Sequence, residues 1–363
     1  MLLYLFAAVV LINTGYFIHF SKFTFLKPTK PLATEAFPIS VIVCAKNEAE
    51  NLKKNIPLWL DQDYPNFELI LIDDASSDDT REVIESFAKD NENIHTVIIE
   101  NNETFWSNKK YSMTLGIKRA YNKRMVFTDA DCSPSSKDWI RLMTTPLDKE
   151  KQLVLGYGAY EKGKGLLNAL IRYETMMTAV QYFSYAEAGM PYMGVGRNLA
   201  YTSPLFYDNR GFMSHMNIRS GDDDLFVNEA ASKENTAICF EPDAFTYSIP
   251  KQSFKEWFSQ KRRHITTAVH YKSKHKLLLS LYYISNLLFW FLATACFIFI
   301  DWKLPLAIVI FRFILQYIFV GNATKILKEK NLLPYLPLFE LFLVFFQLTI
   351  FISNKIAKPK RWK

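Results

Sequence analysis

Residues 39–45 read ISVIVCA, a short and continuous apolar run that is rich in β-branched side chains. An apolar run of this length is typical of a strand that is buried on both faces of a sheet. Residues 48–60 follow with helical spacing, and residues 67–75, FELILIDDA, repeat the buried-strand pattern and end in acidic side chains. The pattern therefore predicts a strand, a helix and a second strand.

The same alternation continues along the chain. It predicts a helix at residues 80–88, a strand at 95–100, a helix at 108–121 and a strand at 124–131, RMVFTDAD, which again ends in acids. This order indicates an α/β domain with right-handed crossovers and a mostly parallel sheet, which extends from Ile39 to about Pro250. Because ligands bind at the carboxyl ends of such strands, both acidic runs lie where a site is expected.

Apolar segments flank this domain on both sides. Residues 1–21 are nearly uncharged and predict an N-terminal transmembrane helix, and the proline-containing residues 22–37 predict a linker. Residues 277–353 predict a C-terminal transmembrane region of two or three helices, and residues 354–363 form a basic tail. The chain is therefore expected to be a multi-pass protein of the cell (inner) membrane.

The composition excludes several classes of protein. Half of the 363 residues are hydrophobic and 15% are aromatic, which excludes collagen-like and disordered chains. The four cysteines are widely spaced and predict neither a disulfide framework nor a zinc site.

The formal net charge is +7, but the basic residues lie beside the apolar segments. This placement suits contact with anionic membrane lipids and argues against a nucleic-acid partner. By the positive-inside rule it places the α/β domain in the cytoplasm. The lysines concerned are Lys22, Lys27, Lys30, Lys272, Lys274 and Lys276.

The side of the C-terminus depends on the number of C-terminal spans. Three full spans would leave the basic tail outside, against the positive-inside rule. The sequence therefore favours a cytoplasmic tail, with residues 304–320 or 332–353 re-entrant or interfacial. Arg312 and Glu340 interrupt these two segments.

Two carboxylates, Asp129 and Asp131, close the strand at residues 124–131. At this spacing both can face one divalent cation, and oxygen ligands suit Mg²⁺ or Mn²⁺ that carries a diphosphate. A solvated acidic loop is the alternative. Asp73 and Asp74 end another strand, where acids commonly bind a nucleoside, although capping of the next helix also explains acids there.

A third acidic run, Asp222 to Asp224, precedes an apolar stretch. One of these carboxylates, held near a metal-bound donor, has the properties of a general base, and a solvated acidic run is the alternative. Gln260, Arg263 and His264 belong to the stretch SQKRRH on a predicted helix. Arg263 suits phosphate binding, and a lipid-facing juxtamembrane cluster is equally consistent with the spacing.

Residues 165–189 are rich in methionine and aromatic side chains with mixed helical spacing. A helix that packs on the domain or on the membrane helices is the simpler interpretation. An interfacial helix that lines the entry of a lipid acceptor is the alternative.

Taken in order, these motifs resemble those of the family 2 glycosyltransferases, inverting enzymes with the GT-A fold. SVIVCAKNEAENL, LILIDDASSDDT and FTDADCSPSS are similar to the first strand, the nucleotide-binding loop and the metal-binding motif of that family. NKKYSMTLGI is similar to its lysine-containing element, with Asn108 in place of glycine and Thr114 in place of asparagine. SGDDDLF and QKRRH resemble the last two motifs, with His264 in place of the usual tryptophan. The resemblance covers about residues 38–270.

The resemblance implies a set of roles. Asp129 and Asp131 would hold Mg²⁺ or Mn²⁺, and Asp223, beside Asp222, would be the catalytic base. The residues expected at the donor site are Ala45, Glu48, Asp73, Asp74, Lys109, Asp129, Gln260, Arg263 and His264.

The implied function is transfer of a sugar, with inversion, from a nucleoside-diphosphate sugar to a hydroxyl of a membrane-associated acceptor at the cytoplasmic face. The acceptor is expected to be lipid-linked or a glycan. A processive polysaccharide synthase is a second hypothesis, weakened by His264 where such synthases carry tryptophan. A catalytically silent, membrane-tethered scaffold that binds nucleotide sugars is a third.

Overall fold

The computed structural model describes residues 1–28, 36–100, 109–218 and 220–357. They divide into two compact units, which we call the sheet unit and the helical unit. The sheet unit comprises Pro28–Glu161 and Gly189–Pro250, and the helical unit comprises Met1–Lys27, Lys162–Ala188 and Lys251–Lys363.

The strands of the described chain all belong to the sheet unit. They are β1 Ile39–Ala45, β2 Phe67–Asp74, β3 Ile94–Ile99, β4 Arg124–Asp129, β5 Cys132–Pro134, β6 Leu153–Leu155, β7 Gly158–Tyr160, β8 Leu199–Thr202, β9 Thr236–Ile238 and β10 Thr246–Ser248. The larger sheet has the order β3-β2-β1-β4-β8-β6-β9, and β5, β10 and β7 form a smaller one. β3, β2, β1 and β4 are parallel, whereas β8 is antiparallel to both of its neighbours.

Helices cover the sheet and build the helical unit. They are α1 Leu2–Thr24, α2 Ala49–Leu60, α3 Thr80–Asp90, α4 Lys109–Arg119, α5 Trp139–Thr144, α6 Leu166–Glu187, α7 Ser203–Asp208, α8 Asp224–Ala230, α9 Phe254–Ala268, α10 Ser273–Phe299, α11 Lys303–Ile326 and α12 Leu336–Ile356. Short 3₁₀ turns lie at Met213–His215, Pro242–Ala244 and Lys330–Tyr335.

The predicted alternation of strands and helices is confirmed from β1 to β4. The strands form because their apolar side chains are covered on both faces, and Val41, Ile42 and Val43 of β1 are completely buried. Helix α2 contributes Leu52, Ile56 and Trp59 to the same core on one face. The predicted helix at 108–121 is observed as α4, and Asn108 itself lies outside the described residues.

Among the described residues of the helical unit, four helices are long and apolar enough to cross a membrane: α1, α10, α11 and the stretch Lys330–Ile356 that contains α12. α1 is antiparallel to α10, because Phe6 stacks near Phe289 while Tyr16 donates a hydrogen bond to the Leu278 carbonyl. α1 and α11 run in the same direction, because Asn13 contacts Arg312 and, further along both helices, Phe17 stacks on Phe319.

A buried polar cluster joins these helices. Arg312 of α11 is completely buried, and its guanidinium donates to Asn13 of α1, to Asn286 of α10 and to Glu340, 2.5 Å away. Gln316 also donates to Glu340. Because an unpaired charge is costly inside a membrane, Arg312 and Glu340 are tolerated as a hydrogen-bonded pair.

The two units divide the predicted domain of residues 38–270. Its stretches 162–188 and 251–270 group with the helical unit, because α6 packs on α1 and α9 packs on α12. Their sequence patterns predict helices but do not say which surface the helices cover. Residues 29–35 of the predicted linker and 358–363 of the basic tail lie outside the described residues.

Candidate active site

Three parallel strands bring their carboxyl ends to one edge of the sheet. β1 lies between β2 and β4, with Ala45 opposite Asp73 and Cys44 opposite Asp129. This register places the end of the first strand and both acidic runs side by side, as the sequence predicts. The edge is therefore the candidate active site of the sheet unit.

The loops after β1 and β2 are joined by hydrogen bonds. Asn47, with a positive φ of 57°, accepts from the Ser77 amide at 2.8 Å, and its own amide donates to the Ser76 hydroxyl. The Glu48 amide donates to Thr80 Oγ1 at 2.8 Å. The predicted donor-site residues Ala45, Asp73 and Asp74 therefore end the two strands that lead into these connected loops, and Glu48 lies in the first loop.

Asp73 and Asp74 differ in their surroundings. Asp73 is buried, and its Oδ1 accepts from the Ser76 amide at 3.1 Å, which fixes the turn after β2. Asp74 is partly exposed, accepts a hydrogen bond from Ser112 of α4, and lies 3.7 Å from Lys46 Nζ. Asp73 thus has a structural contact of its own, and Asp74 is the more accessible of the two carboxylates.

Asp129, Asp131 and Cys132 each offer one ligand atom, and these atoms lie within 4.8 Å of one another. Hard divalent cations such as Mg²⁺ and Mn²⁺ prefer the carboxylate oxygens. Burial and the neighbouring Asp131 raise the pKa of the Cys132 thiol well above its usual value, so the sulfur stays protonated. The two aspartates therefore fit a divalent cation, and the cysteine is a poor ligand for it.

Lys109 joins two of the acidic runs. Its Nζ lies 2.8 Å from Asp129 Oδ1 and 3.0 Å from Asp222 Oδ2. Burial disfavours the charged ammonium, but the two carboxylates outweigh it and raise the pKa of Lys109 well above its usual value. Lys109 is therefore a fixed positive charge at the centre of the site.

The third acidic run, Asp222 to Asp224, directly follows a glycine, Gly221. Gly221 has a φ of +98°, which lies in the left-handed region, and a Cβ there would come within 2.5 Å of Leu225. The chain then turns so that Asp223 precedes helix α8. Asp223 Oδ1 accepts from the Asp224 amide at 2.7 Å, and Asp223 Oδ2 accepts from the Gly196 amide at 2.8 Å.

The pKa values of Asp222 and Asp223 are shifted in opposite directions. Burial would raise the pKa of Asp222, but the ammonium of Lys109 outweighs it and lowers that pKa. Burial and the negative charges of Asp222 and Asp224 raise the pKa of Asp223 to about 7. Two neighbouring carboxylates with separated pKa values are typical of an acid–base site, because one stays charged while the other exchanges a proton near neutral pH.

A small cavity of about 10 Å³ lies among these groups, with room for roughly one water molecule. Its polar lining is formed by the charged cluster just described, and Phe127 and Tyr201 supply part of the apolar wall. The residues that line it are Lys109, Met113, Phe127, Thr128, Asp129, Gly196, Leu199, Tyr201, Asp222 and Asp223. The cavity therefore marks the point where the second and third acidic runs meet.

Gln260, Arg263 and His264 lie on α9, in the helical unit. Gln260 and Arg263 are partly buried, and His264 is exposed. Burial lowers the pKa of Arg263, whose guanidinium nevertheless stays charged at neutral pH. The roles predicted for these three residues remain predictions.

The structure also brings in residues that the sequence pattern does not single out. They are Gly196, whose amide binds Asp223, Ser112, which binds Asp74, and Lys110, whose ammonium binds two carbonyls near the third acidic run. Gly196 belongs to the stretch GVGRN at residues 194–198, whose glycines are the one signal that the backbone approaches another group here.

Comparison with known proteins bears on the family and on the fold of the chain. The model of the family "Glycosyl transferase family 2" matches residues 40–195, which include β1 to β4, Lys109, Asp129 and Asp131.

Two curated proteins give partial matches. The chain is 31% identical over 93 residues to the putative teichuronic acid biosynthesis glycosyltransferase TuaG of Bacillus subtilis, which is 26% of this chain and 35% of that protein. It is 27% identical over 166 residues to the dolichyl N-acetyl-alpha-D-glucosaminyl phosphate 3-beta-D-2,3-diacetamido-2,3-dideoxy-beta-D-glucuronosyltransferase of Methanococcus voltae, which is 42% of this chain and 49% of that protein. The chain thus spans less than half of the length of these two relatives.

Among the solved structures that match, the following is similar over nearly its whole length. It is the mannosyltransferase PcManGT from Pyrobaculum calidifontis, in complex with GDP-Man and Mn²⁺, with a TM-score of 0.57 and 17% identity. The similarity covers 93% of this chain and 99% of that one, and at this identity it bears on the fold alone. The predicted GT-A type of α/β fold is confirmed. The family model identifies residues 40–195 as similar to glycosyl transferase family 2, and the partial matches to glycosyltransferases and the fold agree with it.

Proposed function

We propose that this protein is an inverting glycosyltransferase that moves a sugar from a nucleoside-diphosphate sugar to a hydroxyl of a membrane-associated acceptor. The observation that carries the proposal is the Asp223 carboxyl, whose pKa is raised to about 7 and whose two oxygens are held by the Gly196 and Asp224 amides. A base with this pKa is half deprotonated near neutral pH, where it can accept a proton from a hydroxyl.

In the proposed reaction the acceptor oxygen attacks the anomeric carbon, and its proton passes to the carboxylate of Asp223. The bond between the anomeric carbon and the diphosphate breaks with its electron pair on the diphosphate. A single displacement of this kind inverts the anomeric centre. Asp222 stays charged beside Lys109 and keeps the pKa of its neighbour high, because two adjacent carboxylates resist double ionisation.

Asp129 and Asp131 are the residues that would hold Mg²⁺ or Mn²⁺. When bound, such a cation neutralises negative charge on a leaving diphosphate. Lys109 lies against Asp129 and offers a second fixed positive charge at the same place. The complex of PcManGT with Mn²⁺ supports a divalent cation here.

The donor's nucleoside is expected to bind at the loops that carry Ala45, Glu48, Asp73 and Asp74. Gln260, Arg263 and His264 are expected to contact the donor diphosphate or the acceptor, as the family motif implies. The substrate named for the Methanococcus relative contains a dolichyl phosphate, which supports a lipid-linked acceptor in this proposal.

The proposed location of the reaction is the cytoplasmic face of the cell membrane. Lys22 lies in the last turn of α1 and Lys27 follows that helix. Lys272 precedes α10 and Lys274 lies in its first turn, at the end of the helix pair where α1 stops and α10 starts. Lys325 lies in the last turn of α11, which runs in the direction of α1 and therefore ends on the same side. The positive-inside rule makes this end cytoplasmic.

The position of helix α12 determines on which side of the membrane the C-terminus lies. It lies beside α9, with Trp257 stacked on Phe346 at 4.2 Å and with the Arg262 guanidinium donating to Asn354 at 2.8 Å. α9 belongs at a membrane surface rather than inside the bilayer, because its sequence carries many charged side chains. They are Lys255, Glu256, Lys261, Arg262 and Arg263.

The beginning of the same segment is also tied to charged helices. Glu329, directly after α11, accepts from Arg172 of α6 at 2.6 Å. Glu174 of α6 in turn lies 2.5 Å from Lys261 of α9. Both ends of the segment that contains α12 thus contact one set of charged side chains. We therefore place α12 as an interfacial or re-entrant helix, with a cytoplasmic C-terminus.

The test is a panel of nucleotide sugars, offered to the membrane-embedded protein with Mn²⁺ or Mg²⁺ and scored for both binding and turnover. We expect one donor to bind and turn over only with the cation, Asp131→Asn to lose cation-dependent binding, and Asp223→Asn to bind without turnover. Binding without any transfer or hydrolysis would favour the silent scaffold. Products with several added sugars per acceptor would favour the processive synthase, and no donor binding at all would reject the proposal.

A further inference from the structure

Lys110 is completely buried in the sheet unit, next to a lysine that contacts the acidic residues directly. Its Nζ donates to the His215 carbonyl at 2.7 Å and to the Ile218 carbonyl at 2.9 Å. His215 is the last residue of the 3₁₀ turn Met213–His215, and Ile218 lies in the stretch that leads from this turn to Gly221.

A buried ammonium is costly unless hydrogen bonds and nearby negative charge compensate for it. Here two carbonyls accept from it, and the charges of Asp222, Asp223 and Asp224 favour the ammonium form. Burial nevertheless dominates and lowers the pKa of Lys110 to about 8. A fixed, desolvated cation of this kind suits the task of holding backbone carbonyls in one place.

The first two residues of α4 therefore bind residues 215–222 at two points. Lys109 binds the side chain of Asp222, and Lys110 binds the main chain four and seven residues earlier. Between these points lies Gly221, whose left-handed backbone makes it the natural place for a change of direction. The same segment also contacts the rest of the sheet unit through Ser214, which donates to Glu229, and through the buried ring of His215 against Phe212, so the loss of the carbonyl contacts would loosen it without detaching it.

We propose that Lys110 is a positioning residue, which holds the segment of residues 213–218 so that Asp223 is aimed at the acceptor hydroxyl. The proposal rests on the function proposed above. Displacing a catalytic base by about 1 Å lowers the rate on the order of 100-fold, so we expect a large effect on turnover.

The test compares Lys110→Met, which keeps the length and apolar stem of the side chain, with Lys110→Arg, which keeps a charged donor. Lys118→Met is the matched control, because Lys118 lies in the last turn of the same helix and is exposed. For Lys110→Met we expect kcat to fall about 100-fold with donor affinity within about threefold of wild type. We expect Lys110→Arg to recover at least a tenth of the wild-type kcat and Lys118→Met to behave as wild type.

A second readout does not depend on activity. Amide hydrogen exchange of the whole protein in detergent should become at least tenfold faster within residues 211–224 in Lys110→Met and unchanged there in Lys118→Met. Unchanged exchange in this segment, or an equal rise throughout the sheet unit, would overturn the proposal. If the wild type turned over no donor, the proposed function would fail while the exchange result would still decide whether Lys110 holds this segment.

Discussion

Asp222 and Asp223 are neighbours in the sequence, and their carboxyl groups have different partners in the structure. Asp222 faces the ammonium of Lys109 at 3.0 Å, whereas Asp223 accepts from two backbone amides and has no lysine within ion-pair distance among the described residues. The pKa of the first is lowered and that of the second is raised to about 7. Asp223 is therefore the proposed base, because its carboxyl is the one of the two that can exchange a proton near neutral pH.

The first prediction is that Asp223→Asn lowers kcat by about 10²–10⁴-fold while the donor still binds. Asparagine keeps the shape of the side chain and cannot take the acceptor proton. Steady-state kinetics and donor titration on the same preparation would measure both quantities. If Asp222→Asn abolished turnover and Asp223→Asn did not, the two roles would have to be exchanged.

The second prediction concerns pH. Because Asp223 must be deprotonated to act, kcat should rise with pH and level off above about 7. Asp222→Asn removes a nearby negative charge, so the pKa of Asp223 should fall and the acid limb should move to lower pH. The same raised pKa affects the free energy of unfolding. Protonated Asp223 stabilises the folded state fully below the pKa that this carboxyl has in the unfolded chain, and the contribution is lost as pH rises through about 7. A pH–kcat profile of both proteins would measure the shift, and an unmoved limb would contradict the assignment.

At the scale of elements, α6, α9 and the segment before α12 are linked by charged side chains rather than by apolar packing alone. Arg172 and Glu329 are each only 2% exposed, and the Arg172 guanidinium also donates to Asn168 and Asn331. A buried pair of this kind is sensitive to the loss of one partner, because the remaining charge is left unpaired.

The third prediction follows from this pair. Arg172→Met should destabilise the protein by about 3–5 kcal/mol, and the double variant Arg172→Met, Glu329→Gln should recover most of that loss. Denaturant unfolding in detergent would measure the change. Lys53→Met is the control: Lys53 forms an exposed pair with Glu50, so its loss should leave the unfolding midpoint unchanged. Equal destabilisation by the single and the double variant would contradict the role of the pair.

At the scale of the whole molecule, the hydropathy of α12 indicates that it crosses the membrane, whereas its contacts indicate that it does not. Length and composition make Lys330–Ile356 a candidate span, whereas the contacts of Glu329 with Arg172 and of Asn354 with Arg262 tie both ends of the segment to charged helices. A membrane-crossing α12 would place the C-terminus outside, and an interfacial α12 keeps it on the lysine-rich side.

The fourth prediction distinguishes these arrangements. Single cysteines at Lys274, Asp301 and Lys355, in a background without the four native cysteines, would be labelled with an impermeant maleimide in intact cells. We expect Asp301→Cys alone to be labelled from outside, because it lies between α10 and α11 at the opposite end from the lysines.

Two results would change the model of topology in different ways. External labelling at position 274 would reject the cytoplasmic placement of the catalytic residues. External labelling at 355 with none at 274 would leave that placement unchanged and make α12 a full span.

The sequence alone determined the parallel strands, the helices and the edge at which the acids meet. The reason is local: short, continuous β-branched runs such as ISVIVCA favour buried strands, and parallel strands carry their carboxyl ends to one side. It also determined the apolar helices, because hydropathy over about twenty residues needs no knowledge of neighbours.

Only the tertiary structure decided the environment of each charge. Lys109 and Lys110 are adjacent and chemically identical, yet one binds two carboxylates and the other two carbonyls. Asp223 acquires its raised pKa from burial, Asp222 and Asp224, and the pairing of Arg312 with Glu340 joins residues 28 positions apart. These properties arise from desolvation and from partners brought together by folding, and the order of residues along the chain does not specify them.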